Sequence, residues 1–175
     1  MESIWTQYPI RPRDGLHGDL KTEIAVIGAG MAGILTAHLL QKAGRRVIVL
    51  DTGRIAGGQT CNTTAKITAQ HGLIYQKLRA EQGEEDARLY AAANSEAIGA
   101  YRQIVEQEQI DCDFEEQSAY VYGNHVSALK AETEAARKLG LPASFTDHVP
   151  LPAAMMLPAP MVTPPHTVAP AHSQQ

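Results

Sequence analysis

Residues 23–51 read EIAVIGAGMAGILTAHLLQKAGRRVIVLD, and this stretch decides the fold. An apolar run from Ile24 to Ile27 leads into Gly28-x-Gly30-x-x-Gly33. An apolar helical stretch follows, then Val47 to Leu50 closed by Asp51. The order strand, glycine turn, helix, strand, carboxylate is that of a βαβ unit that binds a dinucleotide. Gly28 lets the chain leave its strand in a tight turn. The missing Cβ at Gly30 lets the backbone approach a pyrophosphate, and that at Gly33 lets the helix pack closely on the sheet. With the intervening Ala29, Met31 and Ala32, the turn and helix start present free N–H groups and a partial positive charge to phosphates. Ala37, Leu40, Gly44, Val47 and Val49 fall where a buried helix face, a helix stop and a buried parallel strand need them.

Asp51 stands eighteen residues beyond Gly33, where a carboxylate accepts from ribose hydroxyls. It favours a free 2′-hydroxyl and disfavours a 2′-phosphate. Arg54 argues the other way, since a guanidinium near this strand end can take that phosphate. The next stretch carries Thr52, Gly58, Gln59 and Thr60, followed by Thr63, Thr64, Ala65 and Lys66. It is small, hydroxylated and flexible, suited to run along an extended cofactor with amides and threonine hydroxyls turned to a pyrophosphate and a ribityl chain. A nicotinamide-binding domain has no need of such a stretch directly after its second strand.

From about Trp5 to Leu151 the chain resembles the N-terminal part of the FAD-dependent oxidoreductases of the D-amino acid oxidase (DAO) superfamily. Within it, the chain is similar to the bacterial branch whose members often end in a Rieske iron–sulfur domain. The resemblance rests on Ile24 to Asp51, on Gly57-Gly58-Gln59-Thr60, on Asn62 to Gly72, and on Ile110-Asp111-Cys112-Asp113-Phe114. Thr63 to Gly72 is the segment most specific to the branch. The resemblance implies FAD as cofactor and a small-molecule amine or amino-acid substrate that passes two electrons to it. The family's cofactor contacts carry over onto Gly28, Gly30, Gly33, Asp51, Thr52, Gln59, Thr60, Thr64 and Ala65. It also puts Lys66 and His71 toward the flavin ring and assigns neither of them a catalytic role.

The expected architecture is therefore α/β: an extended arm over 1–20, a partial Rossmann-like FAD-binding domain over 21–149, and a tail over 150–175. Helices are expected over Gly72–Gln82, Glu84–Glu108 and Val126–Leu139, with a short strand at Ala119–Tyr122. The tail holds seven of the ten prolines and no charged residue. Proline removes a donor and fixes φ, so a disordered, polyproline-like tail is expected. Its abrupt composition leads to the expectation of a frameshift or truncation after about residue 152, or of a linker to a missing C-terminal half or Rieske domain.

Composition narrows the partners. A net charge of −4 and a pI near 5.9 give no basic footprint for nucleic acid. No stretch reaches the roughly twenty apolar residues of a membrane span, and the N-terminus has no signal-like apolar region, so a cytoplasmic protein is expected. Cys61 and Cys112 stand apart from metal-ligand spacing and read as half-buried thiols in a reducing compartment. His166 and His172 are isolated and give no ligand set. Three readings follow: an FAD-dependent oxidoreductase fragment with weak cofactor binding and little turnover by itself, an NAD-binding module or dehydrogenase subunit, and a non-catalytic truncated chain.

Overall fold

The computed structural model describes residues 10, 11 and 13–147, and the backbone of 160–170. Pro9, Pro12 and His172, and the tail residues 150–159 and 171–175, lie outside the described residues. The chain divides into two compact units, residues 1–64 and 65–175.

The first unit is the βαβ unit. Strand β1 (Ile24–Ile27) and strand β2 (Val47–Leu50) pair in parallel with Ile24 opposite Val47 and Ile27 opposite Leu50. Helix α1 (Met31–Lys42) crosses between them. It ends on Ala43 and Gly44, whose amides donate to the carbonyls of Leu39 and Gln41, so Gly44 is the stop its position predicts. One difference from the sequence expectation is burial. No residue of α1 is buried, and Ala37, Leu40, Val47 and Val49 are only half-buried. Parallel strands bury both faces only when covered by layers on each side, and this sheet has two strands. Ala29 is the one buried residue among those described in this unit.

The second unit has a closed core. Helix α2 (Tyr75–Glu81), helix α3 (Glu84–Gln107) and helix α4 (Val126–Lys138) carry most of it. Tyr75, Ala87, Ala91, Ile98, Ala135, Ala136 and Leu139 form one cluster. The three- and four-residue spacing of these positions makes a continuous apolar stripe on each helix. Tyr75 and Tyr90 meet edge to face at 6.2 Å between ring centres, a core contact rather than a stacking platform. Burial pushes the Tyr75 phenol up from its ordinary pKa, and its hydroxyl donates to the Ala69 carbonyl.

A three-stranded sheet completes the unit. Strand β3 (Phe114–Tyr122) and strand β4 (Ser144–Phe145) flank strand β5 (Pro160–Pro170), with both pairings antiparallel. Here the structure departs from the sequence reading twice. β3 is longer than the expected Ala119–Tyr122, because pairing with a long partner extends the ladder over Glu115–Gln117, residues of low strand propensity. Part of the stretch expected as a disordered tail is also in strand. The register explains how prolines fit there. Thr163 faces Ala119, Pro165 faces Ser118 and Thr167 faces Gln117, so two register shifts absorb Pro164 and His166. Prolines at bulges leave the ladder on either side intact.

Candidate functional site

The first unit's turn is built as the glycine spacing predicts. Gly28 has φ +100°, a left-handed backbone that favours glycine, and its amide donates to the Leu50 carbonyl at 2.7 Å. A Cβ at Gly33 would run into the Gly28 carbonyl oxygen, so the helix start is pressed against the turn with no room for a side chain. Gly30 caps α1 without a side chain of its own. Thr60, from a short 3-10 turn over Gln59–Asn62, supplies the missing acceptor: Met31 N–H donates to Thr60 Oγ1 at 3.0 Å.

Asp51 is clasped by amides. Ala29 N–H donates to its Oδ2 at 2.6 Å and Gly53 N–H to its Oδ1 at 2.8 Å. These bonds, first that from Ala29, hold the carboxylate below its ordinary pKa. The amide bonds are therefore at full strength above the ordinary Asp value of about 3.9. They are lost only as pH falls through the lower folded value. The carboxylate ties the end of β2 to the glycine turn while staying exposed to solvent.

The loop after Asp51 returns to the turn, with Ala56 N–H donating to the Ala29 carbonyl at 2.9 Å. Gly57 sits where a Cβ would meet the Arg54 carbonyl at 2.8 Å. Cys61 Sγ lies 3.1 Å from the Gly58 carbonyl and Thr63 Oγ1 donates to the Thr60 carbonyl at 3.1 Å.

Two cavities open on this assembly. One, of about 870 Å³, is lined by Ala29, Asp51, Thr52, Arg54 and the aliphatic residues of β2. The other, of about 260 Å³, is lined by Met31, Arg54, Ala56, Thr60 and Thr63. Sites for cofactor-sized ligands run to about 300–1,000 Å³. The polar groups around the two cavities, threonine hydroxyls and arginines beside the carboxylates of Asp14 and Asp51, fit the phosphates and ribose of a dinucleotide.

The structure brings Gly28, Ala29, Gly30, Met31, Gly33, Asp51, Thr52, Arg54 and Thr60 together around the turn. Ala32, Gly58, Gln59 and Thr64 are exposed and line neither cavity. Ala65 belongs to the second unit, in left-handed backbone with φ 54°. Lys66 and His71 are exposed there too. Cys112 is exposed rather than half-buried. Sequence reasoning missed the lining supplied by Ile10, Leu16 and Leu20 of the arm, whose wide spacing carries no period. It also missed Glu132 and Gln70, both buried in the second unit. Glu132 accepts from Tyr75 N–H at 2.8 Å, Gln76 N–H at 2.8 Å and Gln70 Nε2 at 2.9 Å. A signal was present in the sequence: Glu132 lies on the apolar stripe between Leu129 and Ala136.

The likeness to known proteins lies in family and fold. The family model described as FAD dependent oxidoreductase (DAO) matches residues 23–159, running past Leu151 where the resemblance read from sequence stops. The chain is 38% identical over 162 residues to a putative Rieske 2Fe-2S iron–sulfur protein, YhfW, of Bacillus subtilis, covering 89% of this chain and 31% of that protein. It is 26% identical over 113 residues to the gamma-glutamylputrescine oxidoreductase of Escherichia coli, covering 65% and 26%. Among solved structures, the L-amino acid deaminase of Proteus myxofaciens, in complex with anthranilate, superposes with a TM-score of 0.69 at 16% identity. That match covers 97% of this chain and 37% of the other. The deaminase of Proteus vulgaris, with its specific insertion sequence deleted, gives 0.64 at 19% identity, over 90% and 41%. The chain thus spans less than half the length of each of these relatives.

Proposed function

The chain belongs to the FAD-dependent oxidoreductase family, and we propose that it contributes the adenosine-diphosphate grip of an FAD site used to oxidise amines or amino acids. The observation that carries this reading is the amide-clasped Asp51, exposed beside the glycine turn and lining the larger cavity. Its ionised carboxylate accepts from the ribose hydroxyls. The backbone turn from Gly28 through Ala29, Gly30, Met31 and Ala32 to Gly33 and the Thr60 hydroxyl border the pyrophosphate, while the Gly28, Ala29 and Met31 amides stay on Leu50, Asp51 and Thr60; Thr52, Arg54, Gly58 and Gln59 lie along the same path. Thr64 and Ala65 follow the ribityl chain. When bound, FAD accepts two electrons from the substrate's carbon–nitrogen centre. The residues of this chain bind and orient the cofactor.

The substrate class rests on the relatives' names, one an oxidoreductase of gamma-glutamylputrescine and two of them L-amino acid deaminases. A Rieske centre as electron partner rests on the YhfW likeness. Among the described residues no helix is long and apolar enough to cross a membrane. Cys61 and Cys112 are free cysteines. The exposed apolar faces of β1 and α1 support weak FAD binding and little turnover by this stretch alone.

The test is titration of the chain with FAD, ADP and NAD. FAD and ADP are expected to bind, and Asp51→Ala to weaken both by roughly ten- to a hundredfold. Tighter binding of NAD than of FAD, or unchanged affinity in the variant, would overturn the reading.

A further inference from the structure

The N-terminal arm has no part in the roles above. Its described residues from 10 to 20 are all exposed. Yet it carries Ile10, Leu16 and Leu20, with 39%, 54% and 60% of their surface open to solvent. All three line the 870 Å³ cavity that also holds Ile48, Leu50 and Asp51. Arg11 and Arg13 line it as well. The lining is therefore aliphatic from two separate stretches of chain, with two carboxylates, Asp14 and Asp51, and three guanidinium groups, Arg11, Arg13 and Arg54. An apolar body with a few placed polar groups is the pattern of a small-molecule site.

We propose that the arm forms one wall of the adenosine subsite, with Leu16 and Leu20 packing on the adenine base while Asp51 takes its ribose. The proposal rests on the FAD reading of the glycine turn and extends it to residues outside the βαβ unit. Adenine is flat and largely apolar on its faces, so it gains from aliphatic cover on both sides. A two-stranded sheet supplies such cover from β2 alone. The arm supplies it from the other stretch. Its guanidinium groups favour a ligand carrying a diphosphate. The ligand class is an adenine nucleotide with free ribose hydroxyls, of which FAD is the family's own.

The experiment uses the full chain and ADP as the probe. The double variant Leu16→Asp, Leu20→Asp is expected to bind ADP and FAD about tenfold more weakly or worse, whereas Leu16→Met, Leu20→Met keeps the affinity. These positions are exposed, so neither variant disturbs the core. A second measurement follows trypsin cleavage after Arg13 and Lys21, which saturating ADP is expected to slow. If the unchanged chain binds FAD and ADP but the aspartate variant binds them equally well, or if ADP leaves cleavage unchanged, the arm's role is overturned while the cofactor reading stands. Binding of FAD without ADP also overturns the adenosine wall. If the unchanged chain binds neither, the cofactor reading fails and the arm's role with it.

Discussion

Ile27 closes the wholly apolar run of β1 and Ile98 lies on the apolar stripe of the mixed helix α3, yet Ile27 is 78% exposed and Ile98 only 2%. Hydrophobicity does not separate them; the supply of covering layers does. In the second unit, α2, α3 and α4 turn their apolar stripes on one another, and each stripe finds its partner within the unit. A parallel βα unit cannot do this with two strands, because each face of the sheet needs its own layer. The first unit therefore keeps its geometry through polar ties instead: the Gly28 amide to Leu50, the Ala29 amide to Asp51 and the Met31 amide to Thr60. One half is held by packing, the other by amides.

That contrast breaks most visibly at Glu132. Glu132→Ala leaves the Tyr75 amide and Gln70 Nε2 without their buried acceptor, and is expected to cost about 3–5 kcal/mol in urea unfolding. A loss below about 1 kcal/mol would mean that apolar packing alone fixes the second unit. Next in size is Ile98→Ala, expected to cost about 2–5 kcal/mol. The matching change Ile27→Ala should stay within about 0.5 kcal/mol. Equal costs at the two isoleucines would remove the distinction between the units. Between these lies Gly33→Ala, where the new methyl group meets the Gly28 carbonyl. It is expected to destabilise the turn by about 1–3 kcal/mol and to lower ADP affinity, read by calorimetry, with the second unit's circular dichroism unchanged.

The sequence made the βαβ unit legible because its signals are local. Three glycines, a helix stop and a terminal carboxylate each declare a backbone requirement within a few residues. Helices α3 and α4 were legible by period, and their bounds differ from expectation by a single residue. What escaped was non-local. Glu132 reads as one more polar residue until its stripe is matched with the amides of Tyr75 and Gln76, more than fifty positions away. The arm's aliphatic residues have no spacing that announces a cavity wall. β5 escaped because proline content argues against a central strand, and only the partner's register shows where bulges admit Pro164. Of the candidate site, the turn and Asp51 were legible. Gln59 and Thr64, expected beside them, line neither cavity.

Glu132 also sets a lower limit on how short a working version of this chain can be made. It lies far along the sequence, yet it fastens Gln70 and the opening of α2, at the downstream end of the Thr63 to Gly72 stretch. Any fragment that stops before α4 would carry that stretch without the anchor that shapes its downstream end. The motif can be copied in a dozen letters; its conformation comes only with the distant acid.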